Sequence, residues 1–124
     1  MLRTRVESFL RDYARAFGAL DPERIASFYA PPCAFVNPLS RSMISDAESL
    51  RAYFARITRV HRKTGWGGAS ATLVRLHPHG GHFADAVARW HVIDARGAPL
   101  WNFEHGYLLT TSGPAIRIVS AIGY

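Results

Sequence analysis

Phe83-Ala-Asp-Ala-Val-Ala-Arg-Trp-His-Val-Ile93, Asp94-Ala-Arg-Gly-Ala-Pro99 and Leu100-Trp-Asn-Phe-Glu-His-Gly-Tyr-Leu-Leu-Thr110 follow one another without a break. The two outer segments carry the β-branched and aromatic residues of strands, and the middle one carries the Gly and Pro of a turn, so the stretch reads as a β-hairpin. The same pattern continues in both directions. Ala69 to Leu76 reads as a strand that precedes the turn His77-Pro-His-Gly-Gly-His82, and Ile116 to Ile122 as one that follows Thr111-Ser-Gly-Pro114.

Upstream the period changes from two to three and four. Val6, Phe9, Leu10, Tyr13 and Phe17 mark an amphipathic helix from Arg3 to Gly18, with charged residues on its other faces. Asp21-Pro22-Glu23 restarts a helix, with Asp21 as N-cap, Pro22 at the first helical position, and Ile25, Phe28 and Tyr29 as its buried stripe. Pro31-Pro32 is expected to end it. Cys33 to Asn37 then reads as a short strand closed by Asn37-Pro38, and Ser40-Arg41-Ser42 as a loop. Ser45-Asp46-Ala47-Glu48 has the form of a capping box, and Leu50, Tyr53, Phe54, Ile57 and Val60 carry a third helix toward Gly65.

Helices first and hairpin-connected strands afterwards predict an α+β fold: three N-terminal helices packed on a curved, mostly antiparallel sheet, in one domain over residues 1–124. One helical layer covers one sheet face only. Several strands carry apolar residues on both faces, so a homodimer is expected to cover the other.

The chain has 124 residues, of which 48% are hydrophobic and 19% charged, which excludes a disordered or collagen-like chain. Cys33 is the single cysteine, so no disulfide framework is possible. No run approaches the ~18 apolar residues of a membrane span, and Met1-Leu-Arg-Thr-Arg-Val-Glu leads into a charged helix; no membrane association and a cytoplasmic location are expected. The net charge of +6 raises nucleic acid as a partner. Its densest cluster, Arg56, Arg59, Arg62 and Lys63, falls at a helix end where cations suit the dipole, and no nucleic-acid motif accompanies it. Nucleic-acid binding is therefore not expected.

The element order, together with Phe9-Leu-Arg-Asp-Tyr-Ala-Arg-Ala-Phe-Gly-Ala-Leu-Asp-Pro-Glu-Arg-Ile-Ala-Ser-Phe-Tyr-Ala30, resembles the nuclear-transport-factor-2-like superfamily, in its SnoaL-like and ketosteroid-isomerase-like branch. The resemblance implies a cystatin-like conical barrel around an apolar pocket for a small, often ring-bearing molecule. It implies no single reaction, since the superfamily hosts isomerases, dehydratases, cyclases and plain binding or docking modules. In the isomerases an acidic residue before a proline abstracts a proton, and a first-helix tyrosine and a later-strand acid stabilise the resulting oxyanion. Tyr13 matches the tyrosine, and Glu104 or His105 falls near the acid. The residue before Pro38 is Asn37, a neutral amide that cannot serve as the base.

Alternation along Leu100 to Thr110 puts Trp101, Phe103, His105, Tyr107 and Leu109 on one face, and Leu100, Asn102, Glu104, Gly106 and Leu108 on the other. If the Glu104 face holds the pocket, a carboxyl with a raised pKa is the acid or base and Asn102 a polarising donor; if the other, His105 takes that role. Candidate catalytic residues are thus Glu104, His105 and Tyr13, and candidate ligand contacts are Asn37, Phe17, Phe54, Trp90 and Asn102. His77, His79 and His82 lack an evident carboxylate or Cys partner and read as a solvated turn, so no metal and no cofactor are expected. The function expected is binding of a hydrophobic, oxygen-bearing small molecule, with acid-base chemistry on it or, alternatively, without catalysis as a binding or dimerisation module.

Overall fold

The structure is a computed structural model describing residues 1–124. Its elements run α1 (Leu2–Gly18), α2 (Pro22–Ala26), β1 (Tyr29–Asn37), β2 (Ser40–Ile44), α3 (Ala47–Arg62), β3 (Trp66–His79), β4 (Phe83–Asp94), β5 (Pro99–Thr110) and β6 (Arg117–Gly123). The strands form one sheet in the order β2-β1-β6-β5-β4-β3. Every neighbouring pair is antiparallel except β1 and β6, which run parallel. β2 and β3 are left as free edges, so the sheet curves without closing. The α+β class and the helix-on-curved-sheet layering are as the sequence predicts. No helix is long and apolar enough to cross a membrane.

Local differences from the sequence reading have physical causes. Pro31-Pro32 does not end a helix: α2 stops at Ala26, Tyr29 already pairs with Ile118, and the prolines sit inside β1. The register against β6 shifts between Tyr29 and Ala34, an irregularity that accommodates residues without amide donors. Ser40-Arg41-Ser42 is not a loop but half of a tight hairpin, pairing across to Asn37, Val36 and Phe35. Its exposed position on the sheet edge removes the apolar alternation by which a strand is recognised. The cap of α3 is Asp46, whose carboxylate accepts from the Ser49 amide at 2.7 Å, one residue later than the capping box suggests. Burial is absent there, and these hydrogen bonds hold the Asp46 carboxyl below its ordinary pKa. Asp21 caps α2 as expected, accepting from the Arg24 amide.

The core lies between the helices and the concave face of the sheet. Val6, Leu10 and Tyr13 of α1, Ile25 of α2 and Leu50 and Phe54 of α3 meet Ala86, Ala88 and Trp90 of β4 and Leu109 and Ile118 of β5 and β6. While α1 packs mainly along β3, the alternating small residues Ala84, Ala86 and Ala88 lie buried on the inner face of β4. Where that run ends, at Trp90, the space between the layers opens.

Candidate functional site

A cavity of about 210 Å³ occupies that space. Its closed end is formed by Tyr13 of α1, Tyr29 and Phe35 of β1, Tyr107 of β5 and Ala121 of β6. Its mouth is formed by His61 of α3, Trp66 of β3 and Trp101 and Phe103 of β5, the last two being 40% and 41% exposed. Phe17, Tyr53, Phe54 and Trp90 line the walls between. No Asp, Glu, Lys or Arg lines it. The rings meet mostly edge to face; Tyr13 alone is edge-on to Phe17, Tyr29, Trp90 and Tyr107 at centroid distances of 5.4 to 5.9 Å when Phe28 is included.

The polar groups at the closed end leave donors over. The Tyr13 and Tyr29 hydroxyls share one hydrogen bond at 2.5 Å, and the Trp90 indole N–H donates to the Tyr107 hydroxyl at 3.0 Å. A phenol carries one proton, and these two bonds use one phenolic proton and the indole proton. The Tyr107 proton and that of one partner in the Tyr13–Tyr29 pair remain without a protein acceptor. Burial drives all three phenols well above their ordinary pKa, and the proximity of one another's charge adds to this, so they stay protonated donors.

His105 lies on the concave face of β5, between Phe103 and Tyr107. Burial lowers its pKa to about 4, so its imidazole is neutral near pH 7 and offers one donor and one acceptor. Glu104 is on the convex face, where its carboxylate accepts from Arg89 at 2.8 Å across β4, and it does not reach the cavity. Asn102 is also on the convex face, 2.6 Å from His91 Nδ1. Asn37 Oδ1 accepts from the Leu39 and Ser40 amides at 2.9 and 3.0 Å, which commits it to the β1–β2 turn. Of the sequence-derived candidates, the structure thus brings Tyr13, Phe17, Phe54, Trp90 and His105 to one cavity and leaves Glu104, Asn102 and Asn37 outside it.

Tyr29, Tyr107 and His61 were not singled out by their sequence context. Tyr107 shares the period-two face of His105, which is a usable signal. His61 follows Ile57 by four residues on the buried side of α3, but the basic residues around it mask that side. His77 and His79 lie in β3, with His79 Nε2 2.6 Å from the Asp85 carboxylate across the hairpin, a partner that linear spacing hides. No three His, Cys, Asp or Glu side chains stand together as a metal-ligand set. Cys33 is buried, and burial raises its thiol pKa.

Known structures share this architecture. A domain of unknown function with a cystatin-like fold from Nostoc punctiforme superposes with a TM-score of 0.74 at 12% identity, over 97% of this chain and 74% of the other. A ketosteroid isomerase-like protein from Erwinia carotovora atroseptica gives 0.71 at 13% identity, over 96% and 92%. A hypothetical protein with a ketosteroid isomerase-like fold from Catenulispora acidiphila, solved in complex with trimethylamine, gives 0.58 at 18% identity, over 94% and 83%. At such identities the likeness is one of fold. No curated protein matches the chain. The model of one sequence family, described as NTF2-like protein (DUF6841), matches residues 4–124, and the chain belongs to that NTF2-like family.

Proposed function

We propose that this chain binds a small, planar, largely apolar molecule whose oxygen atom accepts hydrogen bonds at the closed end of the cavity. The observation that carries this reading is the pair of unused phenolic protons beside a charge-free aromatic enclosure. A ligand carbonyl has two lone pairs, and Tyr107 with the Tyr13–Tyr29 pair supplies two donors. An engineered apolar cavity of about 150 Å³ accepts benzene, so 210 Å³ suits one ring with substituents. Trimethylamine in the Catenulispora acidiphila protein is also a small organic molecule, and this supports a ligand of that scale.

On such a ligand His105 acts as the acid-base group, exchanging a proton next to the carbonyl while the phenols hold the developing oxyanion. Asn37 takes no part in that step. A second reading, binding without turnover, draws on two observations: Asn37 stands where the isomerases carry their base, and no carboxylate orients the His105 ring. The outer sheet face fits self-association, since Phe83, Ile93 and Ile122 are each more than a third exposed there while Arg89 and Glu104 neutralise one another. Cytoplasmic location belongs to the same proposal.

The test is a thermal-shift screen against substituted aromatic ketones, phenols and polyketide-like rings. A ligand at a hundred times its Kd adds about 2.7 kcal/mol of stability. The expected result is a shift that Tyr107→Phe weakens, with turnover lost in His105→Ala. Turnover unchanged in His105→Ala would remove the catalytic role, and no shift with any ring ligand would overturn binding.

A further inference from the structure

His61 Nδ1 is buried and has no hydrogen-bond partner. Leaving a buried polar atom unpaired is costly, and such atoms in folded proteins call for an explanation. His61 belongs to the cavity wall, so its position supplies one. Its ring stacks on Trp66 at a centroid distance of 4.8 Å and stands 6.1 Å from Trp101, at the mouth. Trp66 is pinned, its indole N–H donating to the Gly18 carbonyl at 3.1 Å. Trp101 is 40% exposed, with no such tie to the backbone. Phe17 lies between the two polar ends of the cavity, 6.2 Å from His61 and 5.8 Å from Tyr13.

We propose that His61 is a recognition residue of this cavity, and that the preferred ligand is an aromatic ketone bearing a hydroxyl on the side of the ring away from its carbonyl. The inference rests on the binding role proposed above for the closed end. With the carbonyl oxygen on the phenols, the far end of the ring points to the mouth, and its hydroxyl reaches Nδ1 once the rings around His61 shift to admit it. Burial lowers the His61 pKa, which keeps the imidazole neutral, and the Nε2–H form is the more stable tautomer of an unconstrained neutral imidazole. Nδ1 then presents a lone pair. The phenols and indoles of this cavity offer mainly donors and the acceptor of His105 stands beside Tyr107, so at the mouth His61 is the acceptor that distinguishes a hydroxyl from an ether of the same shape.

The experiment is calorimetric titration of the chain with 4-hydroxyacetophenone and 4-methoxyacetophenone. Wild type is expected to bind the hydroxy ketone about tenfold more tightly, the effect of one net hydrogen bond to a buried acceptor. His61→Phe preserves the stack and is expected to bring the ratio near one by weakening the hydroxy ketone alone. His61→Asn, whose Oδ1 occupies the place of Nδ1, is expected to restore most of the preference. A loss of packing alone would weaken both ketones equally. Should both bind wild type with equal affinity, or the preference survive in His61→Phe, the His61 assignment falls while the cavity reading stands. Should neither bind wild type, the cavity reading falls and this inference with it.

Discussion

The hydroxyls of Tyr13 and Tyr29 meet at 2.5 Å, joining α1 to β1 through a single hydrogen bond inside the aromatic core. Each phenol is almost fully buried, at 1% and 6% exposure.

That pairing predicts non-additive mutations. Tyr13→Phe and Tyr29→Phe each strand one buried hydroxyl and are expected to cost about 1–2 kcal/mol. The double variant strands none and should cost less than the two singles together, by about 1 kcal/mol in a urea-denaturation cycle. Simple additivity would show that the two hydroxyls do not depend on each other.

His105 gives the fold a pH dependence of definite sign. Its pKa is about 4 in the folded chain and about 6.5 in the unfolded one, because burial disfavours the imidazolium. The unfolded chain therefore binds a proton first as pH falls. The contribution of His105 is complete above pH 6.5 and is lost progressively toward pH 4, by up to about 3 kcal/mol. His105→Phe should flatten that limb of the stability profile. An imidazole resonance that titrates near pH 6.5 in the folded protein would contradict this.

Glu104→Gln separates the two faces of β5. It removes an Arg89 partner at the surface and is expected to change stability by less than about 1 kcal/mol. Since Glu104 is outside the cavity, ligand affinity and turnover should match wild type in the same assays that test His105→Ala. A tenfold loss of affinity would place the functional face on the other side of the sheet.

Two glycines predict unequal costs. A Cβ on Gly67 would stand 2.1 Å from the Asp94 carbonyl oxygen, a backbone atom of the paired strand, so Gly67→Ala forces β3 and β4 apart. It is expected to cost about 3 kcal/mol. A Cβ on Gly106 would meet the Tyr124 hydroxyl at 2.4 Å, but that side chain is 66% exposed and swings away, so Gly106→Ala is expected to cost less than 1 kcal/mol. Melting temperatures of the two variants check the ranking.

The strands from β3 onward were legible because every turn between them spells itself in Gly and Pro, and because β4 alternates strictly between core and solvent. β2 was illegible for the reverse reason: an edge strand of exposed residues buries no face, so nothing in it alternates. On β5 the period identified the two competing faces, Glu104 or His105, but which face is concave depends on where α1 and α3 lie. Asn37 shows the same limit, since a turn and a ligand contact call for the same amide. Nothing in the linear sequence marks His61, because the neighbours that set it at the mouth, Trp66 and Trp101, are brought beside it only by the folded sheet.

The parallel pairing of β1 with β6 sets an order of events for folding. Tyr29 lies against Ile118, although most of the chain separates them in sequence. The β1–β2 hairpin can form by itself, yet its seat in the sheet does not exist until β6 has docked on β5. Closing so large a loop is slow, which predicts that joining of the two blocks limits the folding rate. Until then the strip of β1 that will face β6 is an open template, and the interval before docking is when the chain is most exposed to pairing with a neighbour in the wrong register.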